Sequence, residues 1–206
     1  MRVDIVDPSA YTPPYDHSLC SALAGLGAQV RLVTTRFPYG PVPPAEGYVR
    51  TEPFYPLAAG LPGSRLRRAT KLLQHGPDML RYRQMSRESQ VVHFQWLPVP
   101  WLDRFLLPHR PTVLTAHDLL PREPRPGQVA AQRRLLDAVD AVVVHSHFGK
   151  AQLVQGLHLS EDRVSVIPHG AFDYLARVEP RLPFELASPP AGDRPVVLFF
   201  GLVRPY

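Results

Sequence analysis

A single cysteine, Cys20, stands in the 206 residues. That scarcity excludes an intramolecular disulfide and a cysteine-built zinc cage, and it fits a reducing compartment. With Leu19, Leu23 and Leu26 around it at helical spacing, Cys20 reads as a small residue on a helix face. Lysine is nearly as scarce: Lys71 and Lys150 are the two present, so arginine carries most of the net charge of +5. Together with 25 prolines, this composition reflects GC-rich coding as much as any ligand, and charge alone assigns no partner. No apolar run approaches the roughly 18 residues of a membrane span, and the opening Met1 to Val6 is too short and too acidic for a signal peptide. The expectation is a cytoplasmic protein. No Gly-x-Gly-x-x-Gly follows the first apolar run, and no Gly-x-x-x-x-Gly-Lys-Ser/Thr loop or Asp-x-Asp triplet occurs, which argues against a dinucleotide enzyme, a P-loop ATPase and a metal-diphosphate clamp.

What is present is enough apolar residue, 45%, for one substantial core. Period and punctuation alternate strands with helices. Strands are expected at Arg2 to Asp7, Gln29 to Thr34, Tyr48 to Tyr55, Gln90 to Gln95, Pro111 to Ala116, Ala141 to His145 and Arg163 to Ile167. Helices are expected at Asp16 to Leu26, ended by Gly27, from Ser64 to His75, from Asp78 to Arg87 after a break at Gly76-Pro77, and at Pro98 to Leu107, Gln128 to Val139 and Phe148 to Gly156. Strands that are apolar without alternation are buried on both faces, so the expected fold class is α/β, a doubly wound, mostly parallel, Rossmann-like sheet. Residues 1–170 read as this domain, 171–194 as a linker rich in Pro, Arg and Glu, and 195–206 as the first strand of a truncated second domain.

In open parallel sheets ligands bind beyond the carboxyl ends of the strands. Those positions hold the loop Ser9 to Asp16, Gln95-Trp96, His117-Asp118, Ser146-His147 and His169-Gly170. Taken alone, His117 reads as a residue satisfying backbone groups, with Asp118 capping the next turn, ahead of one that hydrogen-bonds a sugar hydroxyl. His93, His117, His145 and His147 raise a metal-dependent hydrolase, but no Asp-x-His or His-x-x-x-His spacing groups them, and His93 and His145 are expected to point between sheet and helices. No metal is expected. Arg65, Arg67, Arg68 and Lys71 crowd one helical stretch with Leu66, Leu72, Leu73 and Leu80. They read either as a solvated face over a leucine core or as a contact with anionic lipid. Nucleic acid binding lacks aromatic-basic interleaving.

Taken together, the segments Leu19-Cys-Ser-Ala-Leu-Ala-Gly-Leu-Gly-Ala-Gln-Val-Arg-Leu-Val-Thr, Val91-Val-His-Phe-Gln-Trp, Val113-Leu-Thr-Ala-His-Asp-Leu-Leu-Pro-Arg-Glu, Asp140-Ala-Val-Val-Val-His-Ser with Lys150, and Val164-Ser-Val-Ile-Pro-His-Gly resemble the group 1 family of retaining, nucleotide-sugar-dependent glycosyltransferases of GT-B fold. Val197-Leu-Phe-Phe-Gly-Leu-Val-Arg-Pro-Tyr is similar to the opening of that family's second domain. The resemblance implies an N-terminal, acceptor-side domain, inactive without its donor-binding half. It places His117 beside the transferred sugar and Tyr15, Asp16, Gln95, Trp96 and Asp118 around the acceptor, with Arg204 on the donor diphosphate. The donor is a nucleotide-sugar and the acceptor a saccharide, lipid or small molecule, with fixed positive charge and backbone donors in place of a metal. Two departures stand out: Pro13-Pro14-Tyr15-Asp16 replaces the family's Gly-Gly, and Leu202 replaces the arginine after the second-domain glycine. A non-catalytic carbohydrate-, lipid- or protein-binding module of the same ancestry is the alternative.

Overall fold

The computed structural model describes residues 1–58, 65–120, 124–177 and 179. Its elements are β1 (Arg2–Asp7), α1 (Pro13–Gly25), β2 (Gln29–Thr35), β3 (Val49–Phe54), α2 (Arg65–Met85), β4 (Val91–Phe94), α3 (Pro100–Leu106), β5 (Thr112–Thr115), α4 (Gln128–Ala138), β6 (Ala141–Val144), α5 (His147–Ala151) and β7 (Val164–Val166). The seven strands form one sheet in the order β3-β2-β1-β4-β5-β6-β7. Every pairing is parallel. This is the doubly wound, Rossmann-like class expected from the sequence. The order reverses between β1 and β4, where a crevice opens at the carboxyl edge.

Strand side chains alternate between two cores. On one face, Val3 and Ile5 of β1 and Val30 and Leu32 of β2 pack with Cys20 of α1 and Tyr48. On the other, Val6, Val33, Val92, Phe94, Leu114 and Val142 pack with Met79 and Tyr82 of α2 and Leu135 and Leu136 of α4. The two compact units of the chain are Met1–Phe172 and Asp173–Tyr206. Within the second, Asp173–Arg177 forms a short 3-10 turn. The expected strand at 195–201 and Arg204 lie outside the described residues, as does most of the expected linker.

Three local expectations are corrected. Helix α1 begins at Pro13, three residues early, because proline is tolerated in the first turn, where its missing N–H has no intrahelical partner. It ends as expected, with Gly27 at φ 86 and Ala28 N–H returning to the Leu23 carbonyl at 3.1 Å, a Schellman-type closure. Helix α2 runs unbroken through Pro77. An interior proline costs about 3 kcal/mol, but packing fixes the turn on either side of it. His75 is fully buried and bonded to Tyr55 and Asp103, and Asp78 accepts the Tyr55 N–H at 2.8 Å.

The leucines of α2 are also inverted. Residues 67, 71, 75, 79 and 82 face the body, while Leu66, Leu72, Leu73 and Leu80 are exposed by 64%, 56%, 79% and 50%. The inward stripe carries Arg67, which is buried. Arg67 is therefore not available to a membrane, and half-buried Lys71 also turns inward. Arg65 and Arg68 stay exposed.

At the other end of α2 a buried ion pair ties helix to sheet. Arg31 on β2 grips its cross-strand neighbour Asp4 on β1 with two bonds, 3.0 and 2.7 Å, and Tyr82 donates to the same carboxylate at 3.0 Å. Asp4→Ala strands both the guanidinium and the phenol. It is expected to lower stability by about 3 kcal/mol, read as a reduced urea midpoint at unchanged slope. A loss within 0.5 kcal/mol, the range of an ordinary surface change, would contradict that role.

Candidate functional site

The site begins with a carboxylate that points away from it. Asp7, the last residue of β1, is fully buried and accepts backbone N–H groups of Ser9 at 3.1 Å, Tyr11 at 2.6 Å and Thr12 at 3.3 Å. These bonds wrap the β1–α1 loop around one side chain and hold Ala10 at φ 51, a left-handed conformation that costs an alanine about 1 kcal/mol or more. Asp16, one turn into α1, hydrogen-bonds Asp7. Burial, and then the Asp7 charge, push the Asp16 carboxyl well above the usual carboxylate range. Asp16 therefore carries the proton that joins the two groups. At 1% exposure, it braces the loop and does not reach the acceptor site where the resemblance had placed it.

The braced loop delivers Tyr11, Thr12 and Tyr15 to the carboxyl edge. There they meet a row of rings, each ring supplied by the end of a different strand. Trp96 follows β4, His117 follows β5, His145 follows β6 and His169 follows β7. Trp96 and His117 stack at 4.9 Å and 15°. His117 lies 5.1 Å from His145, and His145 lies 5.2 Å from His169. Tyr15 crosses beneath the row, meeting His117, His145 and His169 edge-on or tilted at 4.9, 5.5 and 5.0 Å. Its hydroxyl bonds Thr115, whose Oγ1 also lies 2.7 Å from His93 Nε2. Tyr11 tilts against Trp96 at 5.1 Å, and the indole N–H donates to Thr12 Oγ1 at 3.3 Å. Aromatic contacts of this kind add about 0.5–1.5 kcal/mol each beyond area burial, so the row is an organised surface.

Hydrogen bonding sets the state of the imidazoles. His145 Nδ1 donates to the Ile167 carbonyl at 2.9 Å, and its Nε2 faces His117 Nδ1 at 3.3 Å. With Nδ1 of His145 donating, its Nε2 accepts from His117 Nδ1, which sets the His117 Nε2 lone pair 3.1 Å from Gln95 Oε1, a meeting of two acceptors that is relieved when the amide turns its nitrogen to His117. Burial, followed by the fields of His145, His169 and His93, lowers His117 to about 4. His117 is uncharged at neutral pH. Gln95 is fully buried, and its amide nitrogen has no hydrogen-bond partner among the described residues. Turning the amide over to donate to His117 would leave its oxygen unpartnered instead. In either orientation one amide atom remains for a ligand.

Gln95, Trp96, His117 and exposed Asp118 line a cavity of about 450 Å³ between β4, β5 and α4, floored by Leu114 and Leu135. The structure thus gathers Tyr15, Gln95, Trp96, His117 and Asp118 within one region and leaves Asp16 beneath it. The sequence pointed to these strand ends but missed Tyr11, Thr115 and the roles of His145 and His169. His145 stands at the edge of the sheet and not between sheet and helix, because β6 ends at Val144. The imidazoles meet by their rings, and among the described residues no three His, Cys, Asp or Glu side chains are grouped to hold a metal ion. The stacked rings and hydrogen-bonding groups of this arrangement suit recognition of a polyhydroxylated ring.

Burial lowers His93 to about 4 as well. Unfolded histidine titrates near 6.5, so between about 4 and 6.5 the unfolded chain binds protons that the folded one refuses. The stability from these two groups is complete above pH 6.5 and is lost as the pH falls toward about 4. For buried His93 the slope approaches 1.4 kcal/mol per pH unit. Thermal unfolding midpoints should fall across that window, and more shallowly in His93→Asn. Equal slopes in the two proteins would refute the assignment.

The family model described as Glycosyltransferase Family 4 matches residues 15–171, which runs from Tyr15 past His169 and takes in the whole row of rings. Among curated proteins none matches the sequence. Solved structures match in shape. Sucrose-phosphate synthase from Thermosynechococcus elongatus superposes with TM-score 0.55 at 15% identity, over 82% of this chain and 48% of that one. Anabaena HepE in complex with UDP and glucose gives 0.57 at 12%, over 83% and 45%. UDP-GlcNAc 2-epimerase from Methanocaldococcus jannaschii gives 0.52 at 10%, over 81% and 45%. Identities this low carry the fold alone, and the chain spans less than half of each of these structures. The family match covers most of the sheet, and the fold is that of the N-terminal half of GT-B proteins: the chain belongs to Glycosyltransferase Family 4.

Proposed function

We propose that this chain is the acceptor-side half of an enzyme that transfers a sugar from a nucleotide-sugar to an acceptor with retention of anomeric configuration. The observation that carries the reading is the row of rings along the strand ends from β4 to β7, beside a cavity with one unsatisfied amide atom. A hydroxyl both donates and accepts, so an acceptor hydroxyl satisfies Gln95 in either orientation of its amide. Trp96, His117 and Tyr11 supply stacking surface, and Asp118 at the mouth accepts a second hydroxyl. Neutral His117 can lie beside a sugar that develops positive charge without repelling it. Charge on the departing nucleotide is balanced by fixed donors, Arg204 among them, and no metal is needed in this scheme.

Alpha-helical starts often hold phosphate through free backbone N–H groups. In α1 the first two of these are removed by Pro13 and Pro14. The ring of Tyr15 lies there instead, which supports placing the donor diphosphate on the other half of the enzyme. HepE is described with UDP and glucose, and the reading extends a nucleotide-sugar donor of that kind to this chain.

In the enzyme containing this chain, His117→Ala should lower kcat/KM by about 100-fold. Gln95→Leu should raise the acceptor KM about tenfold, the size of one lost hydrogen bond to a buried group. The 206-residue chain alone should show no turnover with UDP- or GDP-sugars. Inversion at the anomeric carbon, or full activity in both variants, would overturn the assignment and favour a binding module.

A second contact is favoured by the outer face of α2. Leu66, Leu73 and Leu80 recur every seventh residue, two helical turns apart, all at least half exposed, and exposed Arg65, Arg68 and Arg81 flank them. No described helix is long and apolar enough to cross a membrane. A leucine line bordered by arginines suits the surface of an anionic bilayer, with the leucines in the acyl boundary and the guanidinium groups on headgroups. Sedimentation with phosphatidylglycerol vesicles should exceed that with phosphatidylcholine vesicles and fall in Leu73→Glu. Equal binding to both would remove the idea.

A further inference from the structure

The far end of α2 closes a second cavity, remote from the row of rings. In a parallel sheet all strands start at one edge, and the segments that enter them gather there. The last turn of α2 runs through Ser86 and Arg87 toward β4, and His109 and Arg110 lead from α3 into β5. These two segments meet at the amino edge around a space of about 650 Å³, lined among others by Leu80, Arg83, Ser86, Arg87, His109 and Arg110. The volume lies in the range of small-molecule sites. Strands of four residues, about 13 Å long, separate it from the crevice at the carboxyl edge.

No carboxylate lines this cavity. Arg83 and Arg87, four residues apart where α2 runs on into a 3-10 turn, both face it and repel each other. The negative end of the helix dipole accounts for Arg83 in the last turn. It does not account for His109 and Arg110, which arrive from a different part of the chain. Backbone and imidazole contacts hold the group in place. Arg110 donates to the Arg87 carbonyl, Arg83 donates to His109 Nε2, and buried Ser86 donates to the Arg83 carbonyl at 3.0 Å. A guanidinium carries five N–H groups, so these contacts leave most of the donors of Arg83 and Arg110 open. The exposed Arg87 guanidinium has no hydrogen bond or ion pair among the described residues. The next residue, Glu88, is turned to Arg2 at 3.9 Å. Three guanidinium groups around one recess without a carboxylate are matched by an oxyanion, and their planar forks fit the oxygens of phosphate two at a time.

We propose that the amino-edge cavity binds a phosphate group through Arg83, Arg87 and Arg110, at a site separate from the crevice. The site goes beyond the transfer reaction and does not rest on it. Leu80 both lines the cavity and ends the exposed leucine line of α2, so the phosphate has two sources, a lipid headgroup or a soluble ester.

Inorganic phosphate tests the site directly. Calorimetry on the 206-residue chain at constant ionic strength should show saturable binding of one phosphate, tighter than acetate. Arg87→Gln removes a side chain that holds nothing among the described residues. It should keep the fold, checked by circular dichroism, and weaken phosphate binding about tenfold, the size of one charge-assisted hydrogen bond. Arg110→Gln should weaken binding likewise. Arg134→Gln removes the same charge from an exposed position on α4 outside the cavity and should leave binding unchanged. Absence of saturable binding, equal weakening in Arg134→Gln, or undiminished binding in folded Arg87→Gln would overturn the proposal. Phosphatidylglycerol vesicles then identify the source: sedimentation that falls in Arg87→Gln supports a headgroup, and sedimentation that Arg87→Gln leaves intact, with phosphate binding lost, supports a soluble ester.

Discussion

The arrangement of this domain depends on the buried carboxyl pair Asp7 and Asp16. A carboxylate at the end of β1 collects three backbone N–H groups from the following loop, and a protonated carboxyl from α1 completes its coordination. Every ring that comes from the loop side is placed by that knot. Tyr11 is held by its own N–H, Thr12 offers its hydroxyl to Trp96, and Tyr15 stands in the first turn of α1, next to Asp16. Without Asp7, the left-handed Ala10 has nothing to hold it, and the loop loses the geometry on which the crevice is built. A buried carboxyl pair is tolerable here because only one member is charged and that member is fully hydrogen-bonded.

Much of the sheet was legible because buried parallel strands advertise themselves as short apolar runs: Arg2 to Asp7, Ala141 to Val144 and the tips around Gln95 and His117 could be found from pattern alone. The errors cluster where tertiary contacts outvote local signals. Pro77 punctuates the sequence but not the helix, since His75 and Asp78 on either side are pinned to Tyr55. The leucines of α2 suggested a core stripe, yet the inward positions 67, 71, 75 and 79 are Arg, Lys, His and Met. A helix that caps a polar crevice with its first turns has little reason to keep its apolar residues on that side.

The row of rings was illegible for a different reason. Its members stand at 15, 96, 117, 145 and 169, spacings that reflect the length of each βα unit and carry no period. Only the closing of the sheet brings their strand ends into line. The histidines looked like a candidate metal shell when counted along the chain. In the fold, His145 and His117 are instead linked to each other and to Ile167 and Gln95.

The carboxyl edge is thereby divided in two by charge. From β4 to β7 it is built of aromatic rings and imidazoles, among which burial keeps His117 unprotonated. From β1 to β3 the same edge ends in Arg67 and Lys71, each over a tyrosine. The division follows from topology. Reversal of strand order between β1 and β4 sends α1 to one face and α2 to the other, so the loop held by Asp7 is the partition between the halves.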